Sequence, residues 1–288
     1  MGIQVGPATV VAPPALQDRA VVLAERMGGP MEFPGLGRHV PAPFVLVLAE
    51  DSLALARLSR GRAPGWGAAV AFPWSRTIML RADLPDLEQT LRHELAHLAL
   101  RSAVRTYLPL WFDEGYATLA AGELGGMMQL ELNLAVALGR VPTLRQLDGL
   151  LRGSATDANT AYALAATAVA ELMRRPAPGG LAALLARLEA GEPFALALES
   201  TLGMSEERFE LLWRRSLRRR YGVITWLAAG GFWTIVALSV FVVTWYKRER
   251  DQPRRAALDL DWNLPLPPPG ESGDVLSKGP VDQTQEGG

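Results

Sequence analysis

The stretch TLRHELAHLALRS, residues 90–102, holds two of the three histidines in the chain. His93 and His97 stand four apart, and Glu94 directly follows the first. On an α-helix a step of four residues overshoots one full turn by about 40°. The two imidazoles therefore share a face and lie roughly one turn apart. Placed so, they can bind one Zn²⁺ at about 2 Å each. Glu94 lies about 100° round the helix from His93. It is badly placed to join them as a ligand, but it can reach a water held by the same ion. That is the mechanical content of the H-E-x-x-H pattern, which combines two metal ligands with a general base. The bland alternative is a surface helix that happens to carry two histidines.

A catalytic zinc site commonly has three protein ligands and one open position. The chain has no cysteine, so thiolate ligands, thiol nucleophiles and disulfides are excluded. The remaining histidine is His39, between Gly37 and Pro41, which reads as a loop residue. The nearest acidic candidates after the motif are Asp113 and Glu114, in WFDEGYATLAAG. Sixteen residues lie between His97 and Glu114, enough for a turn and a return helix packed antiparallel on the first. Trp111 and Phe112 offer apolar surface for that packing, and Gly115 and Ala117 are expected to let the two helices approach closely. From the residues alone, both acids stay open as the third ligand.

HELAH followed by WFDEGYA resembles the Glu-zincins of the peptidase MA superfamily, most closely the bacterial peptidase MA-like domains distantly similar to aminopeptidase N. The resemblance covers about residues 5–220. It implies an α+β zincin-like metallopeptidase domain: a small sheet, the HExxH and Glu-bearing helices, and a helical second half. It also implies Zn²⁺ held by His93, His97 and Glu114, a peptide or protein substrate, and Glu94 as general base. In that chemistry zinc brings the pKa of its water toward about 7. Glu94 takes the proton as the water attacks a peptide carbonyl and can pass it to the leaving amine. In aminopeptidase N-like relatives a tyrosine stabilises the oxyanion. Tyr162, in NTAYALAAT, is the similar position, with Tyr116 a rival two residues after a ligand. Thr118 stands where some relatives carry an aspartate, so Asp113 or a backbone carbonyl is expected to orient an imidazole. The ligand spacing is two residues shorter than in the better-known aminopeptidases, and no clear glycine-rich exopeptidase motif precedes HELAH. The choice between exo- and endopeptidase stays open. The alternative reading is a non-catalytic module that keeps zinc structurally or binds a partner through the old cleft. Glu94 favours the enzyme, because metal binding alone does not need that carboxylate.

Several elements must position these residues. ATVVAPP reads as a short strand stopped by prolines, and ALQDRAVVLAERM as a helix ended by Gly28 and Gly29. PFVLVLAE, residues 43–50, has the continuous apolar character of a buried strand, and SLALARLSR follows as a capped helix. Residues 65–82 read as a hairpin turning at Pro73-Trp74-Ser75, whose first strand could take an extended substrate as a neighbour. Leu87, Leu91, Leu95 and Leu98 give the motif helix its apolar spacing, with Pro85 and Asp86 at its start. Beyond it, LPLWFDEGYATLAAGEL, AYALAATAVAELMRR, LAALLARLEAG and SEERFELLWRRSLRRRYG read as helices.

The 288 residues, 49% of them hydrophobic, can fill one sizeable core. A formal net charge of −1 gives no global basic field, so no nucleic-acid partner is expected. Residues 223–246 carry no charged side chain and reach the roughly 20 residues that span a bilayer core, with aromatic residues near both ends. The expectation is a catalytic domain over 1–220, a transmembrane helix over 223–246, and a disordered tail over 247–288. The tail is basic and then Pro/Gly-rich. Its prolines could dock a partner that the sequence does not identify. Arginines flank the span on both sides, so charge does not choose an orientation. By resemblance the location is a single-pass membrane protein. Its catalytic domain would lie outside the cytoplasm, its tail inside, and its lipid contact would run through the span. The reverse topology is the alternative. The N-terminus shows no readable signal peptide, and the expectation is a leader upstream of Met1.

Overall fold

Runs of β-branched and apolar residues build the sheet. Strands β1 (Ile3–Val5) and β2 (Ala8–Val11) form an antiparallel hairpin, and helix α1 (Gln17–Met27) leads away from it. Two short strands, β3 (Met31–Phe33) and β4 (Gly37–His39), pair separately with each other. Strand β5 (Phe44–Ala49) then lies parallel to β2, with Leu46 opposite Val10. Helix α2 (Ser52–Leu58) follows, its first turn capped by the Asp51 carboxylate, which accepts from the Ala54 N–H. The hairpin of β6 (Ala69–Phe72) and β7 (Thr77–Arg81) completes the sheet, with β7 parallel to β5. The strand order is β1-β2-β5-β7-β6, three parallel strands between two antiparallel edges. This is a computed structural model describing residues 2–63, 67–153, 155–175, 180–221 and 232–262. It divides into two units, Met1–Ala229 and Gly230–Gly288.

One face of the sheet carries the main core. Phe44, Leu46, Leu48, Ile78 and Leu80 meet Leu91 and Leu95 of helix α3 (Leu87–Ala103) and Ala20 and Leu23 of α1. On the other face α2 closes a smaller cluster of Ala49, Leu55 and Ala63. Beyond α3 the chain is helical: α4 (Leu110–Ala121), α5 (Gly126–Ala137), α6 (Leu144–Leu150), α7 (Ala155–Met173), α8 (Leu181–Glu189), α9 (Phe194–Leu202) and α10 (Glu206–Arg220). Helix α4 is central, packed on α3 and on α7. Helix α10 is pinned to α7 where the Trp213 indole N–H donates to Thr167 Oγ1 at 3.0 Å. The α+β architecture, the strands at 8–11 and 44–49, and the hairpin turning at 73–76 agree with the sequence reading. Residues 65 and 66 of the hairpin stretch lie outside the described residues.

The expected transmembrane helix is not upheld. Among the described residues no helix is long and apolar enough to cross a membrane. The described part of that stretch belongs to helix α11 (Phe232–Trp262). The helix then runs on through Lys247, Arg248 and Arg250. Residues 223–231 of the expected span lie outside the described residues, as do 263–288 of the expected tail. The single-pass membrane location and the lipid contact inferred from that span are withdrawn with it.

Candidate metal centre

Helix α3 begins where Asp86 Oδ1 accepts from the Gln89 N–H at 3.0 Å, and Glu88 adds negative charge to the first turn. Leu87, Leu91, Leu95 and Ala99 are buried on one side. That leaves His93 and His97 on the opposite side, half-buried and facing α4. The α4 first turn is fixed by Asp148, whose Oδ1 accepts from the Trp111 N–H at 2.7 Å. Trp111 and Phe112 pack edge-on to each other and against Phe194, anchoring α4 to α9. At the other end, Arg92 of α3 donates to the carbonyl of Ala120, and Gln89 to that of Gly122 at 3.3 Å. These contacts satisfy carbonyls that a helix end otherwise leaves orphaned, and they hold α4 against α3.

Two glycines shape the centre. Gly122 ends α4 in the left-handed region, with φ 71°, a turn that brings Glu123 back beside His93. At Gly115, a Cβ would sit 2.5 Å from the carbonyl carbon and oxygen of Ala165. The close approach expected of Gly115 is therefore made to α7, not to α3. It carries Tyr162 into the site, its ring edge-on to His93 with centroids 6.3 Å apart.

His93 Nε2 and His97 Nε2 face each other at 3.2 Å, and Glu114 Oε2 lies 3.5 Å from each. A tetrahedral ion with bonds of about 2.05 Å would separate its donors by about 3.3 Å. This triangle has those edges, and His93, His97 and Glu114 form a group that could hold a metal ion. The remaining ring nitrogens are spoken for. His93 Nδ1 lies 3.1 Å from Glu123 Oε2, and His97 Nδ1 lies 3.0 Å from Asp113 Oδ1. Each carboxylate fixes its ring so that Nε2 points at the shared centre. Asp113 is itself held by Arg101. Burial would lower both imidazoles, but the surrounding carboxylates outweigh it. Hydrogen bonds to Glu114 and Glu123 raise His93 to about 9. The charges of Glu114 and Asp113 raise His97 well above its ordinary value. Glu114, which burial would raise, is held far below the usual carboxylate range by His97 and His93.

Glu94 is buried beside the triangle. Among the described residues its carboxylate makes no hydrogen bond or ion pair. Burial pushes its pKa up against the pull of His97 and His93. The site opens into a cleft of about 1170 Å³. Glu94, Tyr162 and the Gly67–Ala71 segment, which leads into edge strand β6, line it. Burial first, and the charges of Glu114, Glu94 and Glu123 after it, raise the Tyr162 hydroxyl, which keeps its proton.

The structure thus brings together His93, Glu94, His97, Glu114 and Tyr162. Tyr116 packs against Phe112 in the core and does not line the cleft. His39 lies on β4, outside the donor group. Glu123 was missed by sequence reasoning, because only the turn at Gly122 returns it to a histidine thirty residues earlier. An acid directly after a helix-ending glycine was the one available signal.

A helix bearing H-E-x-x-H, paired with a glutamate-bearing return helix beside a mixed sheet, gives an α+β domain of peptidase-like form with a side-chain group that could hold a metal ion. Residues 55–219 match the Peptidase MA superfamily, and the chain belongs to it. No curated protein matches the chain.

Proposed function

We propose that residues 1–220 form a zinc-dependent metallopeptidase. The observation that carries this reading is the donor triangle of His93, His97 and Glu114, open to a cleft and flanked by the unengaged Glu94 carboxylate. A purely structural zinc site is closed by four protein ligands, whereas three ligands facing a cleft leave a position for substrate chemistry. Two imidazoles and a carboxylate at tetrahedral spacing suit zinc better than magnesium or calcium, which favour all-oxygen shells. Zinc bound by such a set supplies Lewis acidity and brings the pKa of water toward about 7.

The chain's own residues supply the rest. An extended peptide lies along β6, whose outer edge is unpaired among the described residues, and Ala69 and Ala71 leave room for it. Glu94 accepts a proton from the attacking water as the new C–O bond forms, and returns it to the amine nitrogen as the C–N bond breaks. The Tyr162 hydroxyl, protonated throughout, donates to the carbonyl oxygen as negative charge develops there. Asp113 and Glu123 keep the imidazoles aimed. The test is hydrolysis of a mixed peptide library by the zinc-loaded full chain beside Glu94→Gln. The parent should cleave, and the variant should bind zinc equally but cleave at least about 10²-fold more slowly. Equal cleavage by the two would refute the role of Glu94. No cleavage by a folded, zinc-loaded parent would overturn the peptidase reading in favour of a binding module.

A further inference from the structure

A second cavity, of about 250 Å³, opens beside the cleft. The two share Pro73, Trp74 and Arg101 in their walls, so a peptide in the cleft passes its mouth. Phe33 and Leu98 line part of the smaller cavity, while His39, Arg76 and Arg101 bring basic groups to it. Among the described residues none that lines it is an aspartate or glutamate. Arg101 spends one nitrogen on Asp113 Oδ2, and its side chain is 32% exposed. Among the described residues its other guanidinium nitrogens have no carboxylate partner. The Arg76 side chain, exposed at the β6–β7 turn, has none either. The acids of the larger cleft, Glu94, Asp113, Glu114 and Glu123, are gathered around the two imidazoles. Arg76, with no acidic partner among the described residues, and Arg101, shared with Asp113, thus face the same pocket. A guanidinium presents a planar fork of donors that matches a carboxylate.

The geometry points to this pocket as a subsite for a carboxylate of the peptide substrate, held by Arg76 and Arg101 beside the cut bond. The inference rests on the peptidase reading and names its substrate class: peptides with an acidic side chain near the scissile bond, or with a free C-terminus placed there. Both sources offer the same group, and both would enter over Trp74, which is 94% exposed at the mouth.

The test is a binding measurement that does not depend on turnover. The zinc-loaded Glu94→Gln full chain is titrated into fluorescent peptides in which one Glu is scanned along a Ser/Ala sequence. Each peptide has a Gln twin, and each is made as a C-terminal amide and as a free acid. Glu at one position should bind about tenfold tighter than Gln, a single charge-assisted contact in partly exposed surroundings. The preference should shrink to about twofold in roughly 0.5 M salt, where the screening length falls below about 5 Å. It should also collapse when Arg76→Gln is added. A tenfold preference for free acid over amide, with no side-chain position favoured, would assign the same pocket to a C-terminal carboxylate. Equal binding of all Glu and Gln twins and of acid and amide, or a preference that survives Arg76→Gln, would overturn the subsite and leave the peptidase reading standing. Absence of any peptide binding would overturn the subsite, and the peptidase reading falls with it only if the parent chain also fails to hydrolyse the peptide library.

Discussion

Gly115→Ala tests how the site is held together. The added Cβ would sit 2.5 Å from the backbone carbon and oxygen of Ala165, atoms that cannot rotate away. Ordinary contact begins near 3.4 Å, so α4 and α7 must separate by about 0.9 Å. Overpacking of this kind costs about 1–3 kcal/mol, and with rigid backbone on the far side the upper end applies. Alanine in a helix interior recovers about 1 kcal/mol over glycine. The net loss is then about 2 kcal/mol, a fall in Tm of about 4–8 °C for a unit of this size. The same displacement withdraws Tyr162, and a 1 Å misplacement of a reacting group can cost about 10²-fold in rate. Urea denaturation and thermal melts of the zinc-loaded protein read the first effect, and kcat on a cleaved peptide reads the second. A variant as stable as the parent or more so would refute the packing argument. A destabilised variant with undiminished kcat would refute the role given to Tyr162.

Tyr162→Phe should lower kcat by about 10²–10³-fold, with zinc affinity within about twofold of the parent; unchanged kcat removes Tyr162 from the chemistry. Glu123→Gln, leaving His93 Nδ1 without its carboxylate, should weaken zinc binding by about 10–100-fold in competition with a chromophoric chelator. An unchanged Kd would mean that Glu123 does not orient the ring. Raised imidazole pKa values give the pH dependence its sign. In metal-free protein the His93 contribution to stability is complete below its unfolded value of 6.5 and is lost as pH rises through about 9. Zinc requires the neutral ring, so its affinity should climb over that interval and its binding should release between about one and two protons near pH 7. Melts with zinc and with chelator should therefore diverge from pH 6.5 to 9, and calorimetry in buffers of different ionisation enthalpy should count the protons. A constant gap, or no proton release, would refute the reading.

Much of this protein is determined by local chemistry that a sequence displays. The four-residue step of His93 and His97 places both rings on one face because of helix geometry alone. Asp86 and Asp51 cap helices by contacts three residues long. The apolar run 44–49 and the turn at Pro73–Arg76 mark their strands. The strands β1, β3 and β4 are three residues each, too short to show a period, and they form only because other strands offer them hydrogen-bonding edges. Helix α6 carried a legible capping box in Thr143 and Gln146 that was not read. The apolar stretch at 223–246 shows how composition misleads. Absence of charge along a stretch does not by itself make a membrane-spanning helix.

The choice between Asp113 and Glu114 was beyond spacing. The two are adjacent on α4, and the rotation of that helix, fixed by Trp111 and Phe112 against Phe194 and by Arg92 at its far end, decides their places. Glu114 meets both Nε2 atoms and Asp113 meets His97 Nδ1. Glu123 and Tyr162 reach His93 through a left-handed turn and a backbone-tight helix contact, distances that no periodicity encodes. Sequence showed that His93 and His97 share a face, because that depends on neighbours along one helix. Tertiary packing decided which atoms aim at one centre, because that depends on how far and at what rotation separate helices come together.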